Sequence, residues 1–105
     1  MQILVDTDNT ITGHEELKEQ IRNTVENKLS RFSGHVTRIE VHVADENSHK
    51  GGDRDQRCTM EARIEGLQPT AVTAHSDTVL KAVDAAVAKL RSALDTTIGK
   101  RAEHR

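Results

Sequence analysis

The residues that could carry out catalysis are few in this chain. A catalytic cysteine needs a base and an orienting group nearby, and no Cys-His-Asn or Cys-His-Asp signature accompanies the single cysteine, Cys58. No Gly-x-Ser-x-Gly elbow occurs, and Gly51-Gly52 lies within a charged stretch, not in a loop that follows a strand and opens a helix. We therefore expect a protein that is not an enzyme.

The six histidines do not form a metal-binding pattern. None of them makes an i,i+4 pair on a helix, and none stands at a ligand spacing from Cys58. His42 and His75 could be neighbours on the exposed face of a sheet, but two imidazoles do not complete a metal site. We expect no metal and no cofactor. The histidines are His14, His35, His42, His49, His75 and His104.

Length and composition describe one small domain. The 105 residues are 34% hydrophobic and 30% charged, which allows one compact core. The longest apolar stretch is only a few residues, so we expect no membrane span, and the amino terminus lacks the features of a signal peptide. A single cysteine suits a reducing compartment and predicts a cytoplasmic protein. With one Phe and no Trp or Tyr, the chain does not resemble modules that stack bases on aromatic side chains.

The first third of the chain predicts a strand followed by a helix. The segment Met1–Val5 is apolar and β-branched, as strands are. Thr12 and Glu15 form a capping box at the start of the helix, and Gly34 is expected to end it. The apolar face of this helix consists of residues three or four positions apart, Leu17, Ile21, Val25, Leu29 and Phe32.

The remaining chain predicts three strands and a second helix. Polarity alternates over residues 36–44 and again over residues 57–65, where Cys58 belongs to the inward-facing set and is interpreted as a core residue. The polar segment 45–56 between these strands is expected to be a loop. Residues 70–75 are predicted to form a fourth strand. Ser76 is expected to cap a second helix that closes at Gly99, with Asp77 at its positive end.

These elements predict an α+β fold with the order β-α-β-β-β-α. Each helix has one apolar stripe and the strands alternate, so both helices should pack on one face of a four-stranded sheet. We expect residues 1–99 to form a single domain and residues 100–105 to form a charged tail. An exposed edge strand could also pair with a second copy of the chain and give a weak homodimer.

Several residues on the predicted helices resemble those of a known family. They are Ile11-Thr12, Leu17-Lys18, Lys28-Leu29 and Phe32, followed by Ala82-Val83-Asp84, Lys89-Leu90 and Leu94. Over nearly its whole length the chain resembles the ribosome hibernation-promoting factor and protein Y family, also called the sigma-54 modulation family, in its short form. The resemblance implies a fold similar to double-stranded-RNA-binding domains. It also implies binding to the small ribosomal subunit, in the channel that messenger and transfer RNA use.

Basic residues on the two helices are the candidate contacts to ribosomal RNA, because phosphate binding needs several cations on one surface. Although the formal net charge is −2, residues 89–105 contain five basic and two acidic residues, a net charge of +3. A solvated helix face with local ion pairs, such as Glu19 with Arg22, is the alternative interpretation. The predicted RNA-binding residues are Lys18, Arg22, Lys28, Arg31, Lys89, Arg91, Lys100 and Arg101.

Two functions remain open from the sequence. The first is a ribosome-associated translation inhibitor of the stress response, which docks on small-subunit rRNA and occludes the messenger and transfer RNA channel. The second is a protein-interaction or stress-regulatory module that kept the fold but lost strong rRNA binding. The second helix motivates this alternative, because the family typically continues it with basic residues, whereas this chain has Ser92, Asp95 and Thr96.

Overall fold

A computed structural model describes residues 1–8, 14–46 and 55–103, without the side chains of His14 and of residues 100–103. The predicted order β-α-β-β-β-α and the α+β class are confirmed. Strand β1 spans Gln2–Thr7 and helix α1 spans His14–Leu29, followed by a short 3-10 helix over Ser30–Phe32. The later elements are β2 (Val36–Asp45), β3 (Gln56–Ile64), β4 (Thr70–Ser76) and α2 (Val79–Glu103). No helix in this described part is long and apolar enough to cross a membrane.

The four strands form one mixed sheet in the order β1-β2-β3-β4. Strand β1 runs parallel to β2, with Val5 opposite Val41, and α1 connects these two strands. The other neighbouring strands are antiparallel, with Met60 opposite both Val41 on β2 and Val72 on β4. Side chains alternate between the two faces of such a sheet, so these apolar partners share one face.

Both helices cover that apolar face. Helix α1 packs on β1, α2 packs on β3 and β4, and the two helices contact each other. Ile21 and Val25 of α1 meet Ile39 and Met60 of the sheet in one core, to which α2 contributes Leu90. These side chains are completely buried. The opposite face of the sheet has no covering layer among the described residues.

The predicted start and end of α2 both need correction. Ser76 is not the cap of α2, because it is the last residue of β4; the hydroxyl of Thr78 accepts a hydrogen bond from the Lys81 backbone N–H at 3.2 Å instead. Gly99 does not close α2, which continues to Glu103. A glycine inside a helix costs only about 1 kcal/mol, and Gly99 does not adopt the positive φ of a helix-ending glycine.

Helix α1 ends before the glycine that was expected to stop it. The α-helix finishes at Leu29, and the 3-10 turn carries Phe32 into the core before Gly34 is reached. The predicted capping residue Thr12 lies outside the described residues, as do Ile11, His49, Gly51-Gly52 and His104.

Candidate nucleic-acid interface

The basic residues predicted on α1 lie on different sides of that helix. Arg22 and Lys28 are six residues apart, which places them about 120° apart around the helix axis. Arg22 forms an ion pair along its own helix, with its Nη1 2.7 Å from Glu19 Oε2. Lys28 instead points to α2, where its Nζ lies 3.6 Å from Asp84 Oδ1. Lys18 is half-buried and makes no hydrogen bond or ion pair within the described part of the structure.

The basic residues predicted on α2 are also divided. Lys89 and Arg91 are two residues apart, so they project to nearly opposite sides of the helix, about 160° apart. Lys89 reaches the free edge of β4, where its Nζ donates a hydrogen bond of 2.8 Å to the Thr73 carbonyl oxygen. Arg91 is exposed and has no partner among the described residues. Lys100 and Arg101 lie in the last turns of α2, and their side chains are outside the described residues.

Three of the predicted cations, Lys28, Arg31 and Arg91, meet along the line where the two helices face each other. We call this line, together with the acids Asp84 and Asp95, the interhelical seam. Asp84 and Asp95 are eleven residues apart, which is about three turns, so both lie on the side of α2 that faces α1. Arg91 lies between them on the same side, within about 20° of Asp84.

The strongest contact of the seam joins Arg31 to Asp95. Nη2 of Arg31 donates to both carboxylate oxygens, at 2.8 and 2.7 Å. The guanidinium also lies over the Phe32 ring, 4.4 Å from its centroid, which helps to fix its position because aromatic faces attract cations. Both charged side chains remain about half exposed, at 53% and 52%. The seam therefore contains three cations and two carboxylates and has a net charge of +1.

The acidic partners in the seam were not recognised as such from the sequence. Asp95 stood out as an acid within the expected basic stretch, but its partner Arg31 is 64 residues away in the chain. Only the relative placement of two helices brings these side chains together. The spacing of Asp84, Arg91 and Asp95 on one side of α2 was the available signal.

The uncovered side of the sheet, which we call the open sheet face, carries both basic and acidic side chains. Arg38 lies opposite Arg63, and Glu40 lies opposite Glu61, so neighbouring strands place like charges next to each other. The ion pairs run along the strands instead, from Arg38 to Glu40 at 3.3 Å and from Arg63 to Glu61 at 3.9 Å. These two arginines are therefore compensated by carboxylates on their own strands, and Arg57, also on this face, lies 3.2 Å from Glu46, so this face has no concentration of positive charge.

The two histidines considered as possible neighbours on this face are separated. His42 lies on β2 and His75 lies on β4, with β3 between them, so they are not neighbours. Each has an acidic partner: His42 Nδ1 is 3.5 Å from Asp6 Oδ2, and His75 Nε2 is 3.3 Å from Glu46 Oε1. Within the described ranges, no three His, Cys, Asp or Glu side chains come together in a way that could bind a metal ion.

Cys58 is a core residue, as its position in the alternating strand predicted. Its side chain is completely buried between the sheet and the helices. Burial raises the pKa of the Cys58 thiol to about 12, because the thiolate would lose its hydration there. The thiol is therefore protonated at neutral pH and is a poor nucleophile.

Comparisons with known proteins give matches at the level of family and fold. Residues 9–102 match the family model described as sigma 54 modulation protein / S30EA ribosomal protein. A ribosomal subunit interface protein from Coxiella burnetii is similar in structure, with a TM-score of 0.70 and 19% identity over 94% of this chain and 99% of that one. The protein Y N-terminal domain of Thermus thermophilus has a TM-score of 0.67 and 17% identity, over 92% of this chain and 99% of that one. No curated protein matches the sequence.

Proposed function

Because the chain belongs to the sigma 54 modulation protein / S30EA ribosomal protein family, we propose that it is a ribosome-associated protein that binds the small subunit through rRNA phosphates. The structurally similar Coxiella burnetii protein is named a ribosomal subunit interface protein, which is consistent with this role. The role consists of binding and occlusion without catalysis, and its place is the cytoplasm, where ribosomes are.

The observation that supports an RNA contact on the helical side is the clustering of Lys28, Arg31 and Arg91 at the interhelical seam. Arg91 is the most accessible of the three, since it is exposed and unpaired among the described residues. A guanidinium presents its donors in a planar fork that matches phosphate oxygens. We place the first phosphate contact at Arg91, with Lys28 and Arg31 joining when their carboxylate partners are displaced.

The other predicted residues extend the contact to both sides of the seam. Lys18 and Arg22 would contact RNA from α1, on one side of the seam. Lys100 and Arg101 would contact it from the last turns of α2, past Asp95. Lys89 projects away from the seam, towards β4. Its ammonium group has three donors and gives one to the Thr73 carbonyl, so two remain for a phosphate near the β4 edge.

The mechanism follows from a compact domain bound by one side. With the helices on rRNA, the sheet behind them would fill space in the channel that messenger and transfer RNA use. Occlusion of this kind needs no moving part and no reaction. It would silence an idle ribosome for as long as the phosphate contacts persist, which suits a role in the stress response.

A protein-interaction module is the second candidate, and the ion pairs of the seam favour it. Lys28 and Arg31 already have carboxylate partners, and the chain has a net charge of −2. A domain whose cations are neutralised in this way would bind RNA weakly and could use the same surface for a protein partner.

Co-sedimentation with separated ribosomal subunits, at about 50 and about 200 mM salt, distinguishes the two candidates. Each phosphate contact releases counterions, so RNA binding through several cations weakens steeply over this range. Migration with the small subunit at low salt and its loss at high salt would support the ribosomal role. Absence from both subunits at low salt would contradict it and would favour the protein-interaction module.

A further inference from the structure

The Arg31–Asp95 contact differs from the other ion pair between the helices. Asp95 accepts from Arg31 through both carboxylate oxygens, at 2.8 and 2.7 Å, whereas Lys28 Nζ and Asp84 Oδ1 are 3.6 Å apart. The guanidinium stacked on Phe32 is also positioned in advance for this acceptor. Charge-assisted hydrogen bonds of this length are about twice as strong as neutral ones. Arg31 is therefore the more firmly engaged of the two cations.

A phosphate would compete with Asp95 for the same guanidinium. Both groups are anions with two oxygens spaced to meet an Arg, so one acceptor must leave for the other to make the same contact. The exchange is open to RNA because Arg31 and Asp95 are both about half exposed. The carboxylate released by the exchange stays in the seam, where its charge repels phosphate.

We infer that Asp95 sets the affinity of the interhelical seam for RNA phosphates by engaging Arg31, an inference that rests on the ribosomal role proposed above. Asp95 lowers the affinity in two ways, because it occupies the Nη2 donors of Arg31 and it adds a negative charge beside Arg91. The result is a contact weak enough to be reversed. Asp84 acts in the same direction on Lys28 but less strongly, since its contact is longer.

The test neutralises Asp95 without changing its shape. In Asp95→Asn, Arg31 is released to bind phosphate, and we expect small-subunit binding to become about fivefold tighter at ~0.1 M salt. The slope of log K against log[salt] should become steeper by about 0.7–0.9, the contribution of one additional phosphate contact. Asp6→Asn is the matched control, because it makes the same charge and shape change on the open sheet face.

A second set of variants separates release of Arg31 from a general change in charge. Arg31→Gln should weaken binding less in the presence of Asp95 than in the Asp95→Asn background, since Asp95 holds the Nη2 donors and offsets the charge of that guanidinium. The double variant Arg31→Gln/Asp95→Asn should lose most of the gain of Asp95→Asn and keep only the part that comes from removing a charge beside Arg91, so the two effects should be non-additive. An equal gain in Asp95→Asn and Asp6→Asn, or a gain that Arg31→Gln leaves undiminished, would overturn the role of Asp95.

The same titrations distinguish failure of this inference from failure of the proposed function. Salt-sensitive binding of the wild-type chain with no gain in Asp95→Asn would overturn the inference and leave the ribosomal role intact. No binding by the wild-type chain but binding by Asp95→Asn would contradict the ribosomal role of the wild-type chain and would support the action of Asp95 on the seam. No binding by either chain, at about 50 mM salt, would overturn both.

Discussion

The interhelical seam and the open sheet face contain similar residues but arrange them differently. On the open sheet face each Arg has a carboxylate partner, on its own strand in Arg38–Glu40 and Arg63–Glu61 and just after β2 in Arg57–Glu46. In the seam the ion pairs join different helices, and Arg91 is left without a partner among the described residues. Composition alone would not separate the two surfaces. The number of cations that remain available for a ligand separates them.

The two sides also differ in how much they contribute to stability. The helical side rests on a continuous core, whereas the open sheet face exposes its apolar side chains, such as Leu4 at 41%. A substitution of the same chemical type should therefore have different effects on the two sides, and the following predictions use that difference.

The largest expected effect comes from Leu90→Ala on α2. Leu90 is completely buried, so truncation leaves a cavity and should lower the free energy of unfolding by about 2–5 kcal/mol. Leu4→Ala on the open sheet face is the control, with an expected change below about 0.5 kcal/mol because Leu4 is already partly in water. Urea denaturation of both variants measures the difference, and similar losses would contradict the core described here.

A smaller effect is expected from Thr78→Ala at the start of α2. Its hydroxyl accepts from the Lys81 N–H, and the loss of such a cap costs about 1 kcal/mol. Ser76→Ala tests the competing cap and should cost less, because the Ser76 hydroxyl contacts the side chain of Asp77 instead of a helix N–H. Thermal unfolding would contradict the assignment if Ser76→Ala were the more damaging variant.

The Arg31–Asp95 ion pair should couple its two residues more strongly than Arg63–Glu61. Exposed pairs contribute about 0–1 kcal/mol, and we expect the short contact to the two oxygens of Asp95 to lie near the upper end. The 3.9 Å contact of Arg63 with Glu61 should give a value near zero. Double-mutant cycles of unfolding at low salt measure both couplings. Equal coupling energies would remove this distinction between the two surfaces.

The smallest expected effect concerns self-association at the β4 edge. The Lys89 ammonium donates a hydrogen bond to the Thr73 carbonyl oxygen, which a strand of a second copy would need as an acceptor. Lysines at sheet edges also oppose such strand pairing. We expect Lys89→Ala to strengthen the proposed weak homodimer slightly, while Lys81→Ala leaves it unchanged. Sedimentation equilibrium at rising protein concentration provides the measurement. A homodimer weakened by Lys89→Ala would contradict pairing through this edge.

The sequence predicted the elements well because their signals are local. Period-two alternation around Met60 and the three- and four-residue spacing around Val25 each depend on one segment. The cap of α2 was missed because Ser76 and Thr78 are both good caps, and only the end of β4 decides between them. The end of α2 was missed because Gly99 is tolerated within a helix.

The site was less predictable, since it depends on relations between elements. The spacing of Lys89 and Arg91 already implies that they project to opposite sides of α2, but not which side faces α1. The Arg31–Asp95 pair joins segments that no local pattern connects. The same holds for His42 and His75, which were correctly expected to be exposed but are separated by a strand.

Charge reversal on the two surfaces tests the central claim most directly. Arg91→Glu in the seam and Arg63→Glu on the open sheet face make the same change at exposed arginines. The affinity of each variant for purified small subunits at about 50 mM salt should be compared with that of the wild-type chain. We predict a loss of at least about tenfold for Arg91→Glu and little change for Arg63→Glu. An equal loss in both variants, or a larger one in Arg63→Glu, would contradict binding through the helical side.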